Sequence, residues 1–347
     1  MSRSASRRRR ARLVVAGAIL TSTLVLSACG SSSSRATPPV LGVPASSISV
    51  ALSQVGCARD DVCVATGTSL SGVGPVATAQ FATPSGHWVT LATPVATAPS
   101  LATTACSANS CLVAGTDGRA DLLWRFDATT HELMNATPPP GGLGVRALSC
   151  DAAGNCDLVD LGANGDERFS FSADAGLTWS TPLTMSWASG ESVTSVACAA
   201  IFNCLVSASS ADRASLAVTR DGGVTWTTLT VPRTWTSLNV AQCRRTTCVA
   251  LANAGSSEVV RTANFGGRWS RLATLPGTNA FACASLRRCV AVGASATNAP
   301  RLERVNGARV EPVTLRYVPT GLLNVACGPR RCAAVGATTL VSLPISS

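Results

Sequence analysis

The chain has 347 residues, 46% hydrophobic, 13% charged and 4% aromatic, with a formal charge of +10. No lysine occurs, and six of the 28 basic residues (Arg3, Arg7, Arg8, Arg9, Arg10 and Arg12) crowd the first twelve positions. The remaining 22 arginines face 18 acids, a dispersed net charge of about +4 that gives no basis for nucleic-acid binding.

Residues 1–28 read as an export signal. A basic segment ends at Arg12, and the apolar stretch Leu13–Leu26 is too short for a comfortable membrane span. It closes on Leu26-Ser27-Ala28-Cys29-Gly30. This resembles the bacterial lipobox, which implies cleavage before Cys29 and diacylation of its thiol. Cys29 is also the one cysteine of fifteen without a near neighbour. Residues 29–39 then form the lipidated cysteine and a serine-rich tether. The arginine run also loosely resembles a twin-arginine signal, and the export route stays open. The expected location is extracytoplasmic, anchored by lipid to the outer face of a bacterial cell membrane.

From Val40 to the C-terminus the chain repeats. Fourteen cysteines form seven pairs: Cys57/Cys63, Cys106/Cys111, Cys150/Cys156, Cys198/Cys204, Cys243/Cys248, Cys283/Cys289 and Cys327/Cys332. First members recur at 49, 44, 48, 45, 40 and 44 residues, a period that marks a repeat architecture. In each unit an apolar alternation such as Val193–Cys198 precedes a tight turn. The second cysteine opens another strand, such as Cys289-Val290-Ala291-Val292-Gly293. A third strand (Ser215–Thr219) and a fourth (Trp226–Leu229) complete four antiparallel strands, one propeller blade. The predicted fold is all-β, a seven-bladed β-propeller over residues 40–347 with one short disulfide hairpin per blade. Export favours disulfides over metal, and the pairs lack the two-residue gap of zinc knuckles. No metal set or cofactor motif is read. The last unit lacks a fourth strand, so Val40–Val43 is expected to complete the seventh blade and close the ring.

Three turns share a pattern. They are Ser172-Ala173-Asp174-Ala175-Gly176-Leu177-Thr178-Trp179, Thr219-Arg220-Asp221-Gly222-Gly223-Val224-Thr225-Trp226 and Thr262-Ala263-Asn264-Phe265-Gly266-Gly267-Arg268-Trp269. They resemble the Asp-box, Ser/Thr-x-Asp-x-Gly-x-x-Trp, of bacterial-neuraminidase-repeat propellers. The mature chain also resembles actinobacterial proteins built from Cys-x5-Cys-x-Ala-Val-Gly repeats, and in plan it is similar to photosystem II assembly-factor propellers. The resemblance implies structural turns, with the acid capping backbone N–H groups, glycine at positive φ and tryptophan packed into the blade.

For sialidase chemistry the chain offers one tyrosine, Tyr317, and no Arg-Ile-Pro motif ahead of the first Asp-box. Serine-hydrolase, zinc-protease and P-loop motifs are missing, and two histidines, His87 and His131, leave little for acid–base work. A glycosidase needs only two suitably spaced carboxylates, and Asp117, Asp121, Asp166, Glu167, Asp212 and Glu258 stay open for that role. Loops between second and third strands and links between blades share the face away from the disulfides. There Trp187, Arg233, Trp235 and Tyr317 are the candidate ligand platform. Packing between blades is the competing reading of the two tryptophans. The expected function is a non-catalytic lipoprotein scaffold that binds a protein or glycan at the cell envelope. The alternative is a glycoside hydrolase of surface glycans.

Overall fold

The computed structural model describes residues 40–44, 50–58, 61–71, 74–82, 88–91, 100–188, 190–200, 202–318 and 320–345. The export signal, Cys29, the tether and His87 lie outside them.

The described residues form a seven-bladed β-propeller, one antiparallel sheet per repeat. The innermost strands of blades 1 to 7 are Val50–Cys57, Ser100–Cys106, Gly142–Cys150, Ser192–Ala200, Ser237–Arg244, Thr278–Ser285 and Leu322–Cys327. Each lies against the next, and the last lies against the first, so the ring is closed.

The seven predicted cysteine pairs are all disulfides, each joining the first strand of a blade to its second across a short turn. Within each bridge the two sulfurs occupy different places. The second members, Cys63, Cys111, Cys156, Cys204, Cys248, Cys289 and Cys332, are all buried, and Cys111, Cys204 and Cys248 have no exposed surface at all. The reason is their place on the second strand, which has a neighbouring blade on each side. The first members, Cys57, Cys106, Cys150, Cys198, Cys243, Cys283 and Cys327, line the space at the centre of the ring. All but Cys283 are half-buried. The bridges are therefore structural, with one sulfur of each in a seam and closed to any ligand. Closing so short a loop stabilises by about 2 kcal/mol on chain entropy. Seven bridges also mark a chain that matures in an oxidising compartment.

Second strands are buried on both faces because each sheet lies between two others. Alternate residues therefore serve opposite seams. In blade 6, Cys289 and Ala291 pack towards blade 5, while Val290 and Val292 pack towards blade 7. This is why the strands read as unbroken runs such as Cys-Val-Ala-Val-Gly rather than as polar–apolar alternation. Seven apolar clusters result, one per seam. The glycine ending such runs answers a close approach of the first strand. A Cβ on Gly293 would sit 1.9 Å from the Gly277 carbonyl oxygen, and one on Gly67 would sit 2.0 Å from that of Ala51.

Ring closure follows the expected route. Val40–Pro44 pairs antiparallel with Thr339–Pro344 of blade 7, Gly42 opposite Val341. The structure adds a strand that the repeat did not announce. Leu315–Arg316, from the link between blades 6 and 7, pairs in parallel with Val40 and Leu41 and makes this sheet five-stranded. A polar clasp reinforces the seam between blades 7 and 1. Buried Asp61 accepts the backbone N–H groups of Arg330 (3.1 Å) and Arg331 (3.0 Å), and its second oxygen accepts Arg330 Nε at 3.2 Å. Asn324 Nδ2 donates to Gln54 Oε1 at 2.8 Å across the same seam.

Candidate functional site

The seven inner strands enclose a central channel of about 670 Å³. Each of these strands breaks register with its neighbour before the cysteine, Gly142–Cys150 twice and the others once, leaving Ser53, Ala102, Arg146, Thr194, Ala241, Asn279 and Leu323 without a paired partner. A bulge bends its strand and re-aims a side chain. Two of the re-aimed side chains stitch consecutive blades. Thr194 Oγ1 donates to the Leu238 carbonyl at 2.9 Å, and Asn279 Nδ2 donates to that of Leu322 at 2.8 Å.

Gln54, Thr104, Asn239, Gln242, Asn279 and Asn324 give the channel a wall of carboxamides and hydroxyls, and Arg146 is the arginine among its lining residues. Much of this capacity is already engaged in the stitches and the clasp. Gln242 Oε1, by contrast, is buried without a hydrogen-bond partner among the described residues. The Arg146 side chain is 39% exposed and sits 3.6 Å, Nε to Oε1, from the buried Glu167 carboxylate.

Glu167 leads to a set of acids at the seam of blades 2 and 3. Asp160 is fully buried and is held bidentately by Arg168, Nε to Oδ1 and Nη2 to Oδ2 both at 2.8 Å. Asp121, 3% exposed, reaches Asp160 from blade 2, and neither of its oxygens receives an N–H or O–H from a described residue. Gly142 makes the approach possible, since a Cβ there would fall 1.8 Å from Asp121 Oδ2 and 2.7 Å from Asp160 Oδ2. Two carboxyl groups can share a hydrogen bond only through a proton. Burial first, then the charge of Asp160 and the hydrogen bond to it, push the Asp121 pKa up to about 7. Asp121 is thus the acid that holds a proton up to about neutral pH, beside the guanidinium-bound Asp160. Burial also raises Glu167, against the Val193 N–H and Arg146.

Asp157 is a separate case. Burial drives its pKa well above the usual carboxylate range, and it lies 3.5 Å, Oδ1 to Sγ, from Cys204. Both sulfurs near it belong to the Cys198–Cys204 bridge, so this trio has no thiolate to offer a metal.

The three Asp-box-like turns are built alike. Ser172, Thr219 and Thr262 accept the N–H of Gly176, Gly223 and Gly266 at 2.9, 2.8 and 3.1 Å. Asp174 and Asp221 accept the N–H of Thr178 and Thr225, and Asn264 accepts that of Arg268. Gly223 has φ +91°, and a Cβ on it would meet Phe169 of the preceding blade at 2.6 Å. Trp179, Trp226 and Trp269 pack into the seams with the preceding blades. These turns cap and space the blades.

The candidate platform does not assemble. Trp235 is buried in the seam of blades 4 and 5, 5.9 Å from Trp269 between ring centroids. Trp187 packs 5.9 Å from Trp226 in the seam of blades 3 and 4. Both wedge between blades, Trp235 buried and Trp187 half-buried. Arg233 and Tyr317 are exposed, Tyr317 at 78%, on links belonging to different seams. His131 stacks on Phe81 at 4.6 Å.

No family model matches this sequence, and no curated protein matches it. Solved structures match the fold. A structure of YCF48 bound to a D1 peptide aligns with TM-score 0.60 at 10% identity, over 90% of this chain and 98% of that one. Virginiamycin B lyase from Staphylococcus aureus gives 0.62 at 10% identity, over 88% and 98%. The GH74 xyloglucanase from Xanthomonas campestris gives 0.62 at 14% identity and covers 89% of this chain, which spans about half (53%) of that enzyme. Identities this low establish the propeller alone.

Proposed function

We propose that the chain is an extracytoplasmic lipoprotein scaffold that binds an extended polar ligand, a peptide segment of a partner protein ahead of a glycan, at the mouth of its channel. The observation that carries this reading is the channel wall of carboxamides and hydroxyls with Arg146 set into it. Carboxamides offer a donor and an acceptor together, which suits a peptide backbone or sugar hydroxyls, and a half-exposed guanidinium suits a carboxylate. The disulfides support export, and the lipobox-like Cys29 supports the anchor. A peptide-bound propeller among the similar folds gives the peptide its precedence.

The hydrolase alternative draws on the GH74 likeness, yet Asp121 and Glu167 are buried and Asp117 is occupied in its own turn, accepting the N–H groups of Arg119 and Ala120. Crosslinking in intact envelopes, read by mass spectrometry, tests the proposal with wild type and an Arg146→Gln, Asn239→Ala variant. Partner crosslinks at the channel mouth that fall about tenfold in the variant are expected, the loss of one charge-assisted contact. Equal capture by both proteins, or turnover of a glycan panel, would remove the scaffold reading.

A further inference from the structure

The charge that looks dispersed along the sequence is gathered by the ring. Three consecutive disulfide turns, on blades 5, 6 and 7, each carry an arginine pair: Arg244-Arg245, Arg287-Arg288 and Arg330-Arg331. Arg244, Arg245, Arg287 and Arg330 are exposed, and the pairs of blades 5 and 6 make no ion pair with any described residue. The turns of these three blades on that face, residues 244–247, 263–268, 284–288, 307–308 and 328–331, contain no acid. The matching turns of blades 2 to 4 carry Glu132, Asp151, Asp174 and Asp221 with one arginine, Arg220. Across blades 2 to 7 the face thus has an acidic arc and a basic arc, and Asp61 of blade 1 meets the basic arc at Arg330. A groove of about 460 Å³ opens between the turns of blades 5 and 6, flanked by Arg244 and Arg287.

A second observation fixes what faces this arc. Gly42 lies opposite Val341 in an antiparallel pair, and Leu343 lies opposite Cys332. The N-terminal end of Val40–Pro44 therefore sits at the disulfide end of blade 7, beside the turn of Arg330 and Arg331. The chain joins the ring on the basic arc. Ten residues connect Cys29 to Val40, a reach over eleven steps of at most about 40 Å when fully extended.

We propose that the arginine-paired disulfide turns of blades 5–7 form a docking surface for an anionic lipid bilayer, and that the ring rests on the membrane through this arc. The proposal rests on the reading of Cys29 as a lipid anchor. A tether attached on one face brings that face to the bilayer, and arginines held within a Debye length of anionic headgroups add to a lipid anchor as a second signal.

A chain beginning at Gly30 keeps every strand of the ring and separates the surface from the anchor. Its partition is measured into phosphatidylcholine vesicles with and without about a quarter of phosphatidylglycerol, at about 0.1 M salt, where screening acts over about 10 Å. Binding to the anionic vesicles alone is expected, weakening about fivefold per arginine removed and roughly a hundredfold in an Arg244→Gln, Arg245→Asn, Arg287→Gln variant whose disulfides are intact. Equal partition into both vesicles, no partition, or an unchanged variant overturns the surface. Tighter binding to soluble polyglutamate than to the vesicles also overturns it, in favour of an acidic polymer. The mass of the N-terminal peptide from the exported full chain tests the anchor separately. An unacylated Cys29 beside intact anionic binding removes the tether and supports the surface.

Discussion

At the seam of blades 7 and 1, Asp61 is buried among donors: two backbone N–H groups and a guanidinium converge on its oxygens. At the seam of blades 2 and 3, Asp121 is buried against another acid and receives no donor from the described residues. Burial is nearly equal, 6% exposed against 3%. The surroundings differ: donors converge on Asp61, whereas Asp121, buried against Asp160 without them, is pushed to hold a proton. Asp61 clasps the ring where the two ends of the repeat array meet. Asp121 is a proton holder, two carboxylates away from the channel arginine.

The sharpest way to break the comparison is Asp61→Ala. It strands two backbone N–H groups at the closing seam, each worth about 1–3 kcal/mol when left unpaired. A loss near 3 kcal/mol is expected, a fall in melting midpoint of roughly 6–10 °C. Hydrogen exchange should quicken at Leu52, whose N–H bonds the Ala337 carbonyl across that seam. Unchanged exchange there would show that the strand pairing of Val40–Pro44 closes the ring unaided.

Asp121→Asn probes the other seam through pH. An aspartate in the unfolded chain titrates near 3.9, and Asp121 in the ring is raised to about 7. Between these values the folded state binds the proton and the unfolded state does not. The stability from this group is therefore full below about pH 4 and is lost as pH rises through about 7. Glu167 and Asp157 shift in the same direction, both chiefly through burial. Asparagine keeps a donor towards Asp160 at every pH. The variant should match wild type near pH 4 and exceed it at pH 8, with a slope between them flatter by up to about 1.4 kcal/mol per pH unit. Parallel pH profiles would mean that Asp121 holds no proton.

The contrast between seams was half legible in the residues. Cysteine spacing carried the blades, the bridges and the role of Val40–Val43, because a covalent staple recurs at a fixed place in every repeat. Spacing did not separate the seam-side sulfurs, such as Cys63 and Cys248, from their partners at the channel, since burial on both faces follows from the neighbouring blades. The acid pair left a fainter mark that alignment of the units could have found. Four residues after the second cysteine the other blades have Gly67, Gly115, Ala208, Ala252, Gly293 and Gly336, and blade 3 has Asp160. One residue after it, Asp157 stands among valines, leucines and alanine. What spacing could not show is that Asp121, 39 residues before Asp160, lies across a seam from it, with Gly142 making room. The aromatic platform failed for a related reason. Trp187 and Trp235 were placed on links by sequence, but a link that crosses a seam can turn its large side chain inwards. The gathering of arginines was not visible in the sequence because pairs 43 residues apart in the chain lie on neighbouring turns in the ring.

The smallest effect is expected at Asp174→Asn, which supplies the comparison with a half-buried turn carboxylate. Thr178 donates to Asp174 through both N–H and hydroxyl, and Ser172 donates through its hydroxyl. Burial is the largest single influence and pushes its pKa up, but these bonds together outweigh it and hold the pKa below the usual range. A depressed acid contributes above its unfolded pKa and loses that contribution as pH falls through the folded value, the reverse of Asp121. The ring already contains the substituted turn. Asn264 accepts the Arg268 N–H at 2.8 Å, matching the 2.9 Å bond of Asp174 to Thr178, so the backbone cap does not need the charge. At pH 7 the melting midpoint should move by no more than about 2 °C, and the variant should lose less stability than wild type below pH 4. A larger shift at neutral pH would mean that the carboxylate charge itself shapes the turn, and the two buried aspartates would then no longer be the positions where charge decides the fit of the blades.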